Sequence, residues 1–467
     1  MQFIRITIKK KVLCEVITME KCDIIVIGGS AAGIPAAITA KRHYPGRNVL
    51  LVRKEEKVPI PCGIPYVFGT VDGVDKNIIP DGVLSNNGID LVVDEVKSID
   101  RIARTILTAR SDTFSYEKLI LATGSVPLQP PISGINKKNV IFARKEVPYL
   151  NEILVKMGTE NIKDVIILGG GFIGVEFADE FRKRGLNPTI IEMLPHCLLL
   201  AFEEELCKEA EKKLIERGIH LITNAKLEEI LGDEFVTGVK LSDGRELKTD
   251  LLLVGIGVYP ETTLAEEAGL EVDRKGGIIV DNHQRTSDKH IFACGDCSSK
   301  RSFFTGQPSM MKLASIATTE ARIAGANLFK TYRENLGVIG VFSTAIDGLV
   351  LATAGLSENK ARESGFQAVC GIAEAPDRHP GGMPGMSKMM VKLVFNKNTG
   401  EIIGGQARGG PSVGELVNTI SACIQKKMTA NDIATFQLGT HPAVTASPIA
   451  YQLVNAAELA IKNMKCG

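Results

Sequence analysis

Val165-Ile-Ile-Leu168-Gly169-Gly-Gly171-Phe-Ile-Gly174 is the stretch on which the fold of this chain turns. Four aliphatic residues in a row read as a strand buried on both faces. The glycines at 169, 171 and 174 then follow with G-x-G-x-x-G spacing. The first suits a tight turn, the second lets a pyrophosphate meet bare backbone, and the third lets helix pack closely on strand. The pattern over 175–184 predicts a helix and 188–191 a second strand. Glu192 closes that strand about twenty residues beyond the glycines, where a carboxylate bonds an adenosine ribose 2′-OH. A negative charge there favours NADH, while Arg182, Lys183 and Arg184 leave NADPH possible.

Upstream, Asp23-Ile-Ile-Val-Ile27 leads into Gly28-Gly-Ser30-Ala-Ala-Gly33, a helical stretch over 34–42 and a strand at 49–52. This is a second βαβ unit, with Ser30 small enough to replace the middle glycine. Its second strand ends in Arg53 and Lys54 rather than a carboxylate, with Glu55 and Glu56 just beyond. Two such units imply two dinucleotides. Two further strands, 119–121 and 251–254, each run into a glycine at a crossover, Thr123-Gly124 and Gly257. Ile291-Phe-Ala-Cys-Gly295-Asp296 offers close approach at Gly295 and an acceptor for a polyol hydroxyl at Asp296. The candidate cofactor-binding residues are therefore Gly28, Ser30, Gly33, Arg53, Glu55, Val96, Thr123, Gly124, Gly169, Gly171, Gly174, Glu192, Gly257 and Asp296. Cys294 and Cys297 have metal-ligand spacing but no second pair, so no metal site is read there. From about Leu336, short strands (340–344, 349–354, 389–395, 402–407) alternate with helices (358–364, 412–426, 449–462), the pattern of an α+β domain with an antiparallel sheet.

Between the two units lies Pro59-Ile-Pro61-Cys62-Gly63-Ile-Pro65. Prolines stiffen this segment and Gly63 lets another group approach, so Cys62 reads as an accessible thiol on a rigid loop. Apolar residues from Ile64 onward predict a helix whose positive end would lower the thiol pKa. Two breaker-rich loops in the C-terminal part, 376–385 and 439–443, carry His379 and His441.

Composition narrows the class. Lys+Arg of 55 against Asp+Glu of 54 leaves a net charge of +1, so no basic excess points to nucleic acid or an anionic membrane surface. No apolar run approaches the ~18 residues of a membrane span, and the first residues lack the apolar core of a signal peptide. Ten cysteines without a short-domain framework fit a reducing cytoplasm.

This order of motifs resembles the flavoprotein pyridine nucleotide–disulfide oxidoreductase family, over roughly residues 22–467. The pieces that match are the turn at 28–33, Cys62-Gly-Ile-Pro65, Ala122-Thr-Gly124, the turn at 169–174 and Ala293-Cys-Gly-Asp296. The resemblance implies two Rossmann-like domains, one for FAD and one for NAD, plus a C-terminal α+β dimerisation domain. It divides the chain into an N-terminal extension (1–21), an FAD domain in two segments (22–140 and 266–335), an NAD domain (141–265) and a homodimerising domain (336–467). Val67 stands where dithiol branches carry a second cysteine, so the chain resembles the single-cysteine branch of coenzyme A-disulfide and persulfide reductases, NADH oxidases and NADH peroxidases. The oxidases and peroxidases commonly have a histidine in the first glycine turn, where this chain has Ala31-Ala32. The implied activity is thus transfer of electrons from NADH through flavin and Cys62 to a disulfide, persulfide or polysulfide. The alternatives are reduction of O2 or H2O2 through a Cys62 sulfenate, or a redox-sensing or electron-transfer partner protein. His441-Pro442 resembles the acid/base motif supplied by the partner subunit, with Ala446 where its orienting glutamate stands; Gly382-Met383 replaces the tyrosine that coenzyme A-disulfide reductases place before a Pro-Gly pair.

Overall fold

Residues 19–466 are described by the computed structural model. The first glycine turn leaves the central strand of a five-stranded parallel sheet. Ile24–Ile27 lies between Val49–Arg53 and Lys118–Leu121, with Asp90–Val93 and Ile291–Ala293 at the edges. The edge strand 291–293 comes from far along the chain, so this domain is assembled from two segments. Ile24, Ile25 and Val26 are fully buried because both faces of the sheet are covered. On one face the helices Gly33–His43 and Ala314–Ala326 pack on each other through alanines, Ala36, Ala37 and Ala40 against Ala317, Ala321 and Ala324. A Cβ at Gly325 would stand 2.5 Å from the Ala36 carbonyl, which shows how close the two backbones run. The other face is covered by the antiparallel strands Val96–Asp100, Thr105–Thr108 and Thr113–Ser115, joined by Met19–Lys21 in parallel. Those last three residues of the expected N-terminal extension are thus an edge strand; residues 1–18 lie outside the described part.

The second turn leaves Asp164–Leu168, the centre of another parallel sheet. Its order is Val140–Phe142, Leu251–Val254, Asp164–Leu168, Asn187–Ile191, His220–Ile222. The helix Phe172–Lys183 packs on it, and a three-stranded meander, Leu227–Leu231, Gly238–Leu241 and Glu246–Lys248, precedes the return of the chain. The outgoing and returning crossovers run side by side, as Ser125–Pro127 pairs antiparallel with Val258–Pro260.

The C-terminal part is a five-stranded antiparallel sheet in the order Val341–Ile346, Leu349–Gly355, Ile402–Gly409, Lys388–Asn396, Ala368–Pro376, backed by the helices Ser412–Gln425 and Gln452–Cys466. Sequence patterning found four of these strands. It missed the edge strand Ala368–Pro376, whose residues (AVCGIAEAP) are mostly small or polar. The reason is backbone-level packing: a Cβ at Gly371 would stand 1.9 Å from the Ala456 carbonyl of the last helix.

Candidate active site

The two glycine turns share one backbone. Gly28 and Gly169 both have φ of +107°, a conformation that favours glycine. A Cβ on Gly33 would stand 1.8 Å from the Gly28 carbonyl oxygen, and one on Gly174 would stand 1.9 Å from that of Gly169. Each helix therefore starts hard against its strand. Nothing of the protein lies within 4 Å of a Cβ built on Gly171, at the N-cap of the helix Phe172–Lys183. That open space faces free N–H groups and the positive end of the helix dipole, which suits a pyrophosphate. Gly124 and Gly257 repeat the correspondence one strand over, both with positive φ and both facing open space. The two cradles fit one dinucleotide each.

At the end of the second strand of each unit, one charged residue tucks under the turn. Glu192 Oε2 accepts the Gly170 N–H at 2.6 Å and Oε1 accepts the Leu194 N–H at 2.7 Å. Each oxygen keeps a second lone pair for a ribose hydroxyl. In the first unit Arg53 occupies the same place, with Cδ 2.5 Å from a Cβ built on Gly29. Its guanidinium donates to the carbonyls of Glu55 (2.8 Å) and Glu56 (2.9 Å) and pairs with Asp81 at 2.7 Å. Arg53 thus shapes the 53–56 loop, and Glu55 stands half-buried on it. Val96 is a core residue, so only its main chain is available to a ligand. The Thr123 hydroxyl donates to Glu261 O at 2.6 Å, tying the two crossovers together.

Asp296 sits in a 3-10 turn, Gly295–Cys297, and meets the first cradle where a Cβ on Gly295 would stand 2.7 Å from Ala32 Cβ. Its Oδ2 accepts the Ser125 hydroxyl at 2.7 Å and the Lys145 ammonium at 3.3 Å. Burial works to raise this carboxyl, but Lys145 and the Ser125 hydroxyl outweigh it and hold the acid below its ordinary range. Behind the turn is a buried ion pair, Lys300–Glu320, at 3.1 Å. Lys300 donates to Gly295 O at 2.7 Å, and Glu320 accepts the Gly295 N–H at 2.9 Å and the Ser298 hydroxyl at 3.1 Å. These two charges lock the loop that presents Asp296. Cys294 and Cys297 are fully buried in it, and burial raises both thiols.

Cys62 is an exposed cysteine, as its loop predicts. The segment differs from the expected helix. It forms two 3-10 turns, Pro61–Gly63 and Pro65–Phe68, each opened by a proline. Gly69 ends them because the backbone there runs against the Phe172–Lys183 helix: a Cβ would stand 2.5 Å from Glu180 Oε2. Phe68 packs between Phe177 and Phe181, with ring centroids 5.5 and 5.7 Å away, and Glu180 accepts both the N–H (2.5 Å) and the hydroxyl (2.9 Å) of Thr70. On the other side Asn77 donates to Ile60 O at 3.0 Å, and its Oδ1 would lie 2.0 Å from a Cβ on Gly63. The expected lowering of the thiol pKa is also corrected. Partial burial of the sulfur and the nearby Glu176 carboxyl push it up, while Lys145 pulls the other way. The two 3-10 turns are too short to build the helix macrodipole expected there, and the Cys62 backbone N–H is the weakest of the effects on the thiol, lowering it against the burial.

Glu176 and Lys145 are the residues sequence reasoning missed. Glu176 stands two residues past the last glycine of the second turn, and its Oε1 accepts the Thr344 hydroxyl at 3.3 Å. Burial lifts this carboxyl to about 7, against that hydrogen bond. Its position beside the glycine motif is a readable signal; Lys145, in a connecting segment, offers none. His441 is exposed in the C-terminal domain. Its N–H donates to Thr445 Oγ1 at 2.9 Å and its Nδ1 accepts the Ala443 N–H at 3.2 Å, leaving Nε2 for a proton. The loop of His379 is bonded to the same segment, through the His379 N–H to Pro442 O and its Nδ1 to Thr445 O, both 3.1 Å. The charges acting on the Cys62 sulfur in its own chain are Glu176, Lys145 and Asp296.

The model of the pyridine nucleotide-disulphide oxidoreductases matches residues 22–321, and that of their dimerisation domain matches 341–450. The NADH oxidase of Methanocaldococcus jannaschii is 29% identical over 452 residues, covering 94% of this chain and 99% of its own length. The NAD(P)H coenzyme A polysulfide/persulfide reductase of Pyrococcus horikoshii is 29% identical over 417 residues, covering 88% and 93%. Among solved structures, an NAD-dependent persulfide reductase from A. fulgidus superposes with a TM-score of 0.87 at 28% identity, covering 95% of this chain and 84% of that one.

Proposed function

This chain belongs to the pyridine nucleotide-disulphide oxidoreductases, and on that premise we propose that it reduces a disulfide, persulfide or polysulfide through Cys62 alone. As a member of that family it is an FAD-dependent NAD(P)H oxidoreductase. Bound FAD would supply the two-electron chemistry that links the nicotinamide to sulfur. The chain's own part is to hold the first dinucleotide at Gly28, Ser30, Gly33 and Asp296 and the second at Gly169, Gly171, Gly174 and Glu192. The Glu192 carboxylate favours NADH over the 2′-phosphate of NADPH. The single observation that carries the reading is an exposed Cys62 on a braced loop, with the buried side chain of Val67 where an internal partner thiol would stand.

The Cys62 thiolate attacks one sulfur of R-S-S-R′, forming Cys62-S-S-R and releasing R′S⁻. Two electrons then cleave the mixed disulfide, returning the Cys62 thiolate and RS⁻. Each leaving thiolate takes one proton, and His441 of a second copy is the proposed donor in a homodimer built by the C-terminal domain. A second reading is reduction of O2 or H2O2, supported by a relative of nearly full coverage named as an NADH oxidase. Anaerobic stopped flow of the NADH-reduced enzyme against polysulfide, coenzyme A disulfide and peroxide separates the two. Fast reoxidation by a sulfur acceptor, lost in Cys62→Ser with flavin reduction by NADH intact, is the expected result. Reoxidation by peroxide alone overturns it.

A further inference from the structure

At the opposite end of the first parallel sheet from the glycine turns lies a cleft of about 180 Å³ lined by Lys118, Arg285, Lys289, Asn327, Phe329 and Lys330, among others. Lys118 opens the strand Lys118–Leu121, so about 13 Å of strand separates it from the cradle. Lys118 and Arg285 are half-buried, while Lys289 and Lys330 are exposed. Aromatic faces hold the inner two: Lys118 Nζ lies 5.9 Å from the Phe292 ring centroid and 5.7 Å from that of Phe329, and the Arg285 guanidinium lies 6.0 Å from that of Phe292.

What the cleft lacks is counter-charge. Among the described residues, none of these four cations forms an ion pair, and no carboxylate lines the cleft. The two acids that act on Lys118 are Glu117 and Asp288. Glu117 is taken by Arg47 at 2.6 Å, and Asp288 Oδ1 accepts the His290 N–H at 2.8 Å. Burial and Arg285 depress the Lys118 ammonium, and burial, Lys118 and Arg104 depress His290, so like charges are crowded here. His290 Nε2 is buried beside them without a hydrogen-bond partner. The volume is below the ~300 Å³ at which ligand pockets for whole cofactors begin.

We propose that this cleft binds a small tetrahedral oxyanion, free or as the phosphate of a larger metabolite, between Lys118 and Arg285. Lys118 Nζ spends one of its three N–H donors on Lys289 O at 3.0 Å; with Arg285 it matches a dianion in charge, and the rim lysines add steering. The test uses FAD-loaded enzyme with saturating NAD⁺, so that the nucleotide site is filled. Inorganic phosphate is titrated calorimetrically at ionic strength fixed with chloride, in wild type, Arg285→Gln and Lys118→Met. Saturable binding that weakens about tenfold or more in either variant, at unchanged flavin content, is expected from loss of one charge-assisted contact. Lys118 begins a core strand; if Lys118→Met does not fold, Arg285→Gln decides alone. Glycerol 3-phosphate in parallel distinguishes the sources, binding more tightly than phosphate if a monoester is the ligand and more weakly if the free anion is. Absence of saturable heat, or equal affinity in wild type and the folded variants, overturns the proposal.

Discussion

The two βαβ units are near copies in backbone and opposites in charge. Both turns have φ of +107° at the first glycine, and in both a Cβ on the last glycine would stand within 2 Å of the first glycine's carbonyl oxygen. Under the second position of the turn, one unit places the Arg53 side chain and the other the Glu192 carboxylate. Two residues past the last glycine, one has Pro35 and the other Glu176. The geometry common to both is what any pyrophosphate demands. The differences are where each unit is fitted to its neighbours: Arg53 to its own 53–56 loop, Glu176 to Thr344 and the Cys62 loop.

The largest effect should come from removing the shared feature. Gly33→Ala and Gly174→Ala each force a Cβ to within 2 Å of a carbonyl oxygen. If the units are equivalent in design but not in cargo, Gly33→Ala is purified without flavin. Gly174→Ala keeps its flavin colour and loses about 10²-fold in reduction rate by NADH, the scale of a ~1 Å misplacement. Loss of flavin in both variants would break the comparison.

Glu192→Ala leaves the Gly170 and Leu194 N–H groups without their acceptor. An increase of about tenfold in KM for NADH is expected, with a smaller gap between NADH and NADPH. Steady-state kinetics with both nucleotides measures this; an unchanged NADPH/NADH ratio would count against the carboxylate as the discriminating group.

Arg53→Met addresses the other side of the comparison. It removes a buried guanidinium with three partners, so unfolding free energy should fall by about 2–3 kcal/mol. KM for NADH should not move. Denaturant melts of the flavin-loaded protein give the first quantity and initial rates the second.

The smallest effect concerns Glu176. Its carboxyl is raised from 4.5 to about 7 in the folded chain. A raised acid contributes stability below its unfolded pKa and loses it as pH rises through the folded value. Stability should therefore decline between about pH 4.5 and 7 through this group, and Glu176→Gln should flatten that part of the curve. Parallel slopes in the two proteins would show that Glu176 does not titrate in that window.

Much of this was legible in the chain itself. Glycine positions at 28, 33, 169 and 174 are demanded by local backbone geometry, and local demands are written in consecutive residues. The exposed Cys62 belongs to the same class in part: prolines on both sides stiffen its loop locally, while Asn77 and the Phe172–Lys183 helix, which brace it, come from outside the stretch. The Ala368–Pro376 strand was not legible, since its small residues answer to a helix backbone that arrives from the end of the chain.

The sequence by itself therefore determined the two dinucleotide cradles, the lone thiol and the family. Tertiary structure decided the state of that thiol. Its turns stop where Gly69 meets Glu180, and the charges that tune it, Glu176 and Lys145, come from other segments of the fold. Electrostatic influence depends on distance through space and on burial, and neither is encoded in spacing along the chain. For that reason a loop that reads as activating its cysteine turns out to raise the thiol pKa.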